Sequence, residues 1–169
     1  MSLEKNNVNY SRIAKIFHWG FVFLFAYGVA KQVDDIKQLE EISFFRFEII
    51  FSLIFFILLI IRFIYMKTTQ TTSIPEETSK VQKLAAKFVH NAMYILLAGT
   101  VLSGLLIGIL FWSGIKTGLL IDYVIYIHEL IINILYFFIG IHVFAAVYHR
   151  LKSDGVWSSM VPFYKEKYK

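Results

Sequence analysis

Long apolar runs alternate with short polar connectors along the whole chain. The runs fall at about 16–30, 44–66, 88–112 and 124–148. A helix crossing hydrocarbon needs about 20 apolar residues, with a range of roughly 17 to 25. The last three runs reach that length outright, and the first reaches it once its polar flanks are counted. None of them shows period-two alternation, and backbone inside hydrocarbon must satisfy its own hydrogen bonds. The pattern therefore predicts four transmembrane helices and sets aside a membrane β-barrel. The expected fold is an all-α integral membrane protein, a four-helix bundle forming one domain over residues 1–169.

The basic positions orient that bundle. Arg12 and Lys15 precede the first run; Arg62 stands near the inner end of the second, and Lys67, Lys80, Lys83 and Lys87 lie between the second and third; Arg150 and Lys152 follow the fourth, with Lys5, Lys165, Lys167 and Lys169 farther out. Only Lys31, Lys37, Arg46 and Lys116 fall on the other side. The excess places both termini and the connector 67–87 in the cytoplasm. That connector, TTQTTSIPEETSK, is polar and holds Pro75. Glu76 and Glu77 are expected near the start of a short interfacial helix running into the third span. In the closing stretch GVWSSMVPFYKEKYK, the rings of Trp157, Phe163 and Tyr164 suit the headgroup level. The polar stretch 1–15, with no small-residue cleavage pattern before Lys31, reads as the lead into a retained span rather than a cleaved signal peptide.

Composition narrows the chemistry. With 57% hydrophobic and 18% aromatic residues, the bilayer is the expected solvent. A net charge of +5 would fit nucleic acid only if the basic residues shared one polar face, and they cluster at the ends of apolar runs instead. There is no cysteine, which removes disulfides, thiolate-ligated metals, iron–sulfur clusters and thioether-attached haem. A metal would have to rest on histidine or carboxylate.

All 5 histidines lie in or at the ends of the expected spans. His18 and His90 sit near the inner ends of the first and third, and His128, His142 and His149 along the fourth. Ionisable side chains at such positions are expensive and mark function by default. His128 and His142 are fourteen residues apart, which turns them onto the same helix face with a rise of about 21 Å. Neutral imidazoles on facing helices can hold a low-spin b haem without cysteine, and two irons stacked one per leaflet need a separation of that order. For the inner position either His18 or His90 could face His142, and Gly20 beside His18 allows close approach. For the outer position no histidine stands at the outer end of the first or second span to face His128. His149, next to Arg150, reads as interfacial. The competing reading is a small non-redox membrane protein, a transporter subunit or assembly factor, whose histidines are interhelical hydrogen-bonders. The broken spans of many transporters are not evident here.

The stretches YSRIAKIFHWG at 10–20, IIRF at 60–63, FVHNAMYILL at 88–97, HELIINILYFFIGIH at 128–142 and SDGVWSSMVP at 153–162 resemble the bacterial and nickel-hydrogenase cytochrome b561 family, over nearly the whole chain. The resemblance implies a four-helix bundle with b haems in the bacterial cytoplasmic membrane. It implies an inner haem iron on His18 and His142; His90 is then expected beside that haem rather than on its iron, hydrogen-bonding a propionate or a helix partner. It also implies, in two-haem members, an outer iron on His128 and a second-span histidine. Counting back without gaps from Ile60-Ile61-Arg62, that last position is Glu48, in RFEIIF. A carboxylate is a poor axial ligand for low-spin haem b. An absent outer haem, a five-coordinate one on His128 and a different ligand all remain open. Glu48 could instead accept a proton from a quinol or hydrogen-bond His128. The implied activity is respiratory electron transfer between the quinone pool and the outer face, where family members variously oxidise quinol, serve periplasmic dehydrogenases or hydrogenases, or oxidise superoxide. The implied partners are lipid, quinone, a periplasmic redox protein or dehydrogenase subunit, and a second copy of the chain.

Overall fold

The computed structural model describes residues 10–33, 35–70, 74–75 and 78–164. Lys5, Lys165, Lys167, Lys169, Glu76 and Glu77 lie outside the described residues. Helix α1 spans Arg12–Ala30, α2 Ile42–Thr69, α3 Lys80–Trp112 and α4 Leu119–Lys152, with a 3-10 turn at Ile36–Glu40 before α2 and a short α5 at Val156–Met160. Among the described residues there is no strand. The four long helices are long and apolar enough to cross a membrane.

Each helix outruns the apolar segment that marks it, because the polar flanks continue the same turns. The interfacial helix expected ahead of the third span is the first two turns of α3 itself, starting at Lys80 and entering the apolar part without a break. The 28, 33 and 34 residues of α2, α3 and α4 correspond to roughly 40–50 Å, more than the ~30 Å of hydrocarbon, so their ends reach the headgroup level.

The boundaries have local causes. Ser11 caps α1 by accepting the Ala14 N–H at 3.1 Å, and Ser79 caps α3 by accepting that of Gln82 at 3.3 Å, each quieting an orphan donor of a first turn. The α3–α4 connection needs left-handed backbone at Gly114 (φ 87°) and Gly118 (φ 103°), which glycine adopts without a Cβ clash. The last turn of α4 carries His149, Arg150 and Lys152 against its negative dipole end.

Helices α3 and α4 pack together most extensively, and α2 lies along α3. The core sits where α1, α2 and α3 meet, around Phe21, Phe55, Leu59 and Val101. The other faces are apolar and exposed, as Phe23, Ile57, Ile95 and Phe144 show, which is what a helix presents to lipid. At one end, α5 folds beneath α1: the Trp19 indole N–H donates to the Met160 carbonyl at 3.4 Å, and its ring meets Phe163 at 5.3 Å. At the opposite end the 3-10 turn is tied to the α3–α4 connection by Lys116 and Glu40, 3.8 Å apart.

Ser11 also clamps α1 to α2. Its hydroxyl lies 2.8 Å from that of Tyr65, and its backbone N–H donates to the Gln70 side-chain oxygen at 3.0 Å. Ser11→Ala is expected to destabilise the fold by about 1–2 kcal/mol, read as a melting point lowered by several degrees in detergent. Ser11→Thr, which keeps the hydroxyl, should lose less; equal losses would place the effect outside the cap.

Candidate functional site

Near the α5 end each long helix contributes one nitrogen-bearing side chain to a common cluster: His18 from α1, Arg62 from α2, His90 from α3 and His142 from α4. The His18 and His142 ring centres are 6.1 Å apart. Those of His90 and His142 are 5.0 Å apart with the rings near perpendicular. The sequence left His18 and His90 as alternatives for facing His142, and the fold brings both to it.

Hydrogen bonds distinguish the two. The His90 Nδ1–H donates to the Ala86 carbonyl one turn earlier at 2.7 Å, which leaves Nε2 bare. His18 Nδ1 lies 3.3 Å from Arg62 Nη2. A guanidinium can only donate, so His18 Nδ1 accepts and its proton sits on Nε2. The Arg62 guanidinium is flanked by the rings of Phe21 at 5.1 Å and Tyr94 at 5.4 Å. Its Nε is buried without a partner, and among the described residues no carboxylate pairs with it. Arg62 had counted only toward topology and the IIRF stretch; a cation several residues inside an apolar run was the available signal.

The cluster fits a haem better than a bare ion. Among the described residues no group of three or more His, Asp or Glu side chains is placed to hold a metal ion. Two imidazoles on opposite sides of one iron, each nitrogen about 2 Å from it, put their ring centres roughly 6 Å apart. The His18–His142 separation meets that figure; the edge contact of His90 with His142 is shorter. Apart from chain neighbours and the backbone of its own helix, nothing comes within 4 Å of a Cβ built on Gly20 or Gly140, two residues from His18 and His142 respectively. The unpaired guanidinium suits a carboxylate such as a haem propionate.

Toward the opposite end, all four long helices surround a cavity of about 780 Å³. Glu48 and His128 both line it, together with Glu129. His128 is fixed from α3. Ser103 donates its single hydroxyl proton to the Gly99 carbonyl at 2.7 Å, so its oxygen accepts the His128 Nδ1–H at 2.8 Å, leaving Nε2 bare. A Cβ at Gly104 would stand 3.3 Å from His128 Cε1, so the glycine makes room for the ring. Neither residue stood out in the sequence, because a serine and a glycine on a third helix carry no signal of facing a histidine on the fourth. His149 is held at the α5 end by Asp154, 2.7 Å away, as an interfacial residue would be.

The family model described as prokaryotic cytochrome b561 matches residues 9–163, covering all four long helices and α5. The chain belongs to this family. No curated protein and no solved structure matched it. As a cytochrome b561 family member with four such helices, it is a multi-pass membrane protein of b-haem electron transfer. The histidine cluster is where such a group fits.

The Ser103 contact has a direct spectroscopic consequence. In this cytochrome b561 family chain, ¹⁵N NMR of labelled imidazoles is expected to find His128 protonated on Nδ1. Ser103→Ala should convert it to a mixture of tautomers; a pure Nε2–H form in the wild type would contradict the assigned direction of the bond.

Proposed function

We propose that the chain carries electrons between the membrane quinone pool and a redox partner at the outer face, using one haem b held by His18 and His142, with the α5 end toward the cytoplasm of a bacterial inner membrane. The observation that carries this reading is the 6.1 Å separation of those two rings on facing helices. When bound, the haem supplies a one-electron couple. The orientation rests on the basic residues gathered at the α5 end, among them Arg12, Lys67 and Lys83.

The protein's own groups have defined tasks in this reading. For His18 to present a bare Nε2, its proton must move to Nδ1, where Arg62 now donates. Arg62 must then turn away, and a propionate would take the guanidinium that no described carboxylate satisfies. Freeing His18 and pairing with a propionate would thus both fall to the Arg62 side chain. His90, anchored on Ala86 and edge-on to His142, is a polar neighbour that tunes the potential. One observation favours His90 as the ligand instead: an Nδ1–H donated to a carbonyl is how metal-bound imidazoles are commonly oriented.

Two sets of variants test the reading. His18→Ala and His142→Ala are each expected to abolish the low-spin signal of the reduced spectrum, whereas His90→Ala should retain haem with a shifted midpoint potential. Haem kept in His18→Ala and lost in His90→Ala would move the ligation to His90. At the other end, Glu48→His is expected to raise the haem count by one per chain, by pairing with His128 across the cavity both residues line. An unchanged count would show that the two do not address a common ligand.

A further inference from the structure

The cavity toward the 3-10 turn carries chemistry that the histidine cluster does not use. Its volume of about 780 Å³ lies within the range of small-molecule sites, roughly 300–1,000 Å³. Much of the wall is apolar and aromatic, with Phe25, Phe51 and Tyr136 among its side chains. Polar side chains interrupt it, among them Glu48, Ser52, Thr100, His128, Glu129 and Asn133, and of these Glu48 and His128 are half-buried and ionisable. Glu48 has no hydrogen-bond or ion-pair partner among the described residues, an expensive condition for a carboxylate in a span. His128 has its Nδ1–H committed to Ser103 and its Nε2 bare. Glu48 is six residues from the start of α2 and His128 nine from the start of α4, depths of about 9 and 14 Å below the helix ends. On the water side the 3-10 turn contributes Leu39 to the lining, itself buried.

We infer that this cavity, with Glu48 and His128 in its wall, is a binding site for the head group of a quinol, a flat, lipid-borne ring with a hydroxyl at each end. Its two O–H donors suit the Glu48 carboxylate and the bare Nε2 of His128, and its ring suits the aromatic wall. A bis-imidazole haem would need a second imidazole, and His128 is the only histidine among the lining residues. A soluble anion would meet Glu48 and Glu129, and a lipid tail would leave Glu48 unpaired. The inference deepens the proposed electron-carrier reading by giving its quinone partner a place.

The test is equilibrium binding of a decyl-tailed benzoquinol, kept reduced, to the purified full-length protein in detergent, with the haem content of each sample measured separately. The probe's O-dimethyl ether, of the same shape but without donors, is the comparator. Saturable binding is expected, about tenfold tighter for the quinol than for the ether. It should weaken about tenfold in Glu48→Gln and in His128→Phe and be largely kept in Glu48→Asp, with haem content unchanged throughout. Equal affinity for quinol and ether, or affinity unchanged in both Glu48→Gln and His128→Phe, would overturn the inference. So would a second haem in the wild type that is lost in His128→Phe. Protein without haem that binds the quinol in the expected pattern would refute the electron-carrier reading while upholding the site.

Discussion

Hydrocarbon offers no hydrogen bonds, so every polar group held at membrane depth must find its partner inside the bundle or from a ligand. Most of the polar side chains in the interior of this chain meet that demand internally. His90 uses the carbonyl of its own helix one turn back, and His128 uses a serine whose proton is already committed to a carbonyl. Among the groups left incomplete are the Arg62 guanidinium, whose Nε is buried without a partner as Trp157 Nε1 also is, and the Glu48 carboxylate. Arg62 is a cation beside three imidazoles and Glu48 an acceptor in a cavity. Both proposed ligands, a propionate-bearing haem and a quinol, answer the sign of what Arg62 and Glu48 lack.

The same demand explains why the two ends of α4 differ although its periodicity treats them alike. His142 meets two other imidazoles, on α1 and α3. His128 meets a serine and a glycine on α3, and across the cavity wall a carboxylate rather than a nitrogen. A symmetric pair of haem sites would need the second helix to present imidazole there. With Glu48 in place, the proposed reading gives one end of the bundle to an iron and the other to a ring with hydroxyl donors.

Much of this was legible in the sequence. Run length gave four long helices, and the fourteen-residue spacing gave His128 and His142 a common face, which the structure turns toward α3. The cytochrome b561 resemblance was readable from short stretches spread along the chain, and the family match over residues 9–163 agrees with it. What the sequence did not carry were relations between helices. Whether His18 or His90 stood nearer an iron-spanning distance from His142 depends on how α1 and α3 lean on α4, which no periodicity encodes. The roles of Arg62, Ser103 and Gly104 depend on which side chain of another helix lies opposite. The 3-10 turn and α5 are too short for apolar periodicity to announce, and they are held by contacts far along the chain, such as Trp19 with Met160.

Electron paramagnetic resonance of the oxidised wild-type protein addresses the one-haem, bis-imidazole assignment most directly. The expected result is a low-spin ferric signal of the bis-imidazole type that integrates to one spin per chain. Two such signals, a high-spin signal alone, or no ferric haem signal in protein purified from haem-replete cells would contradict it.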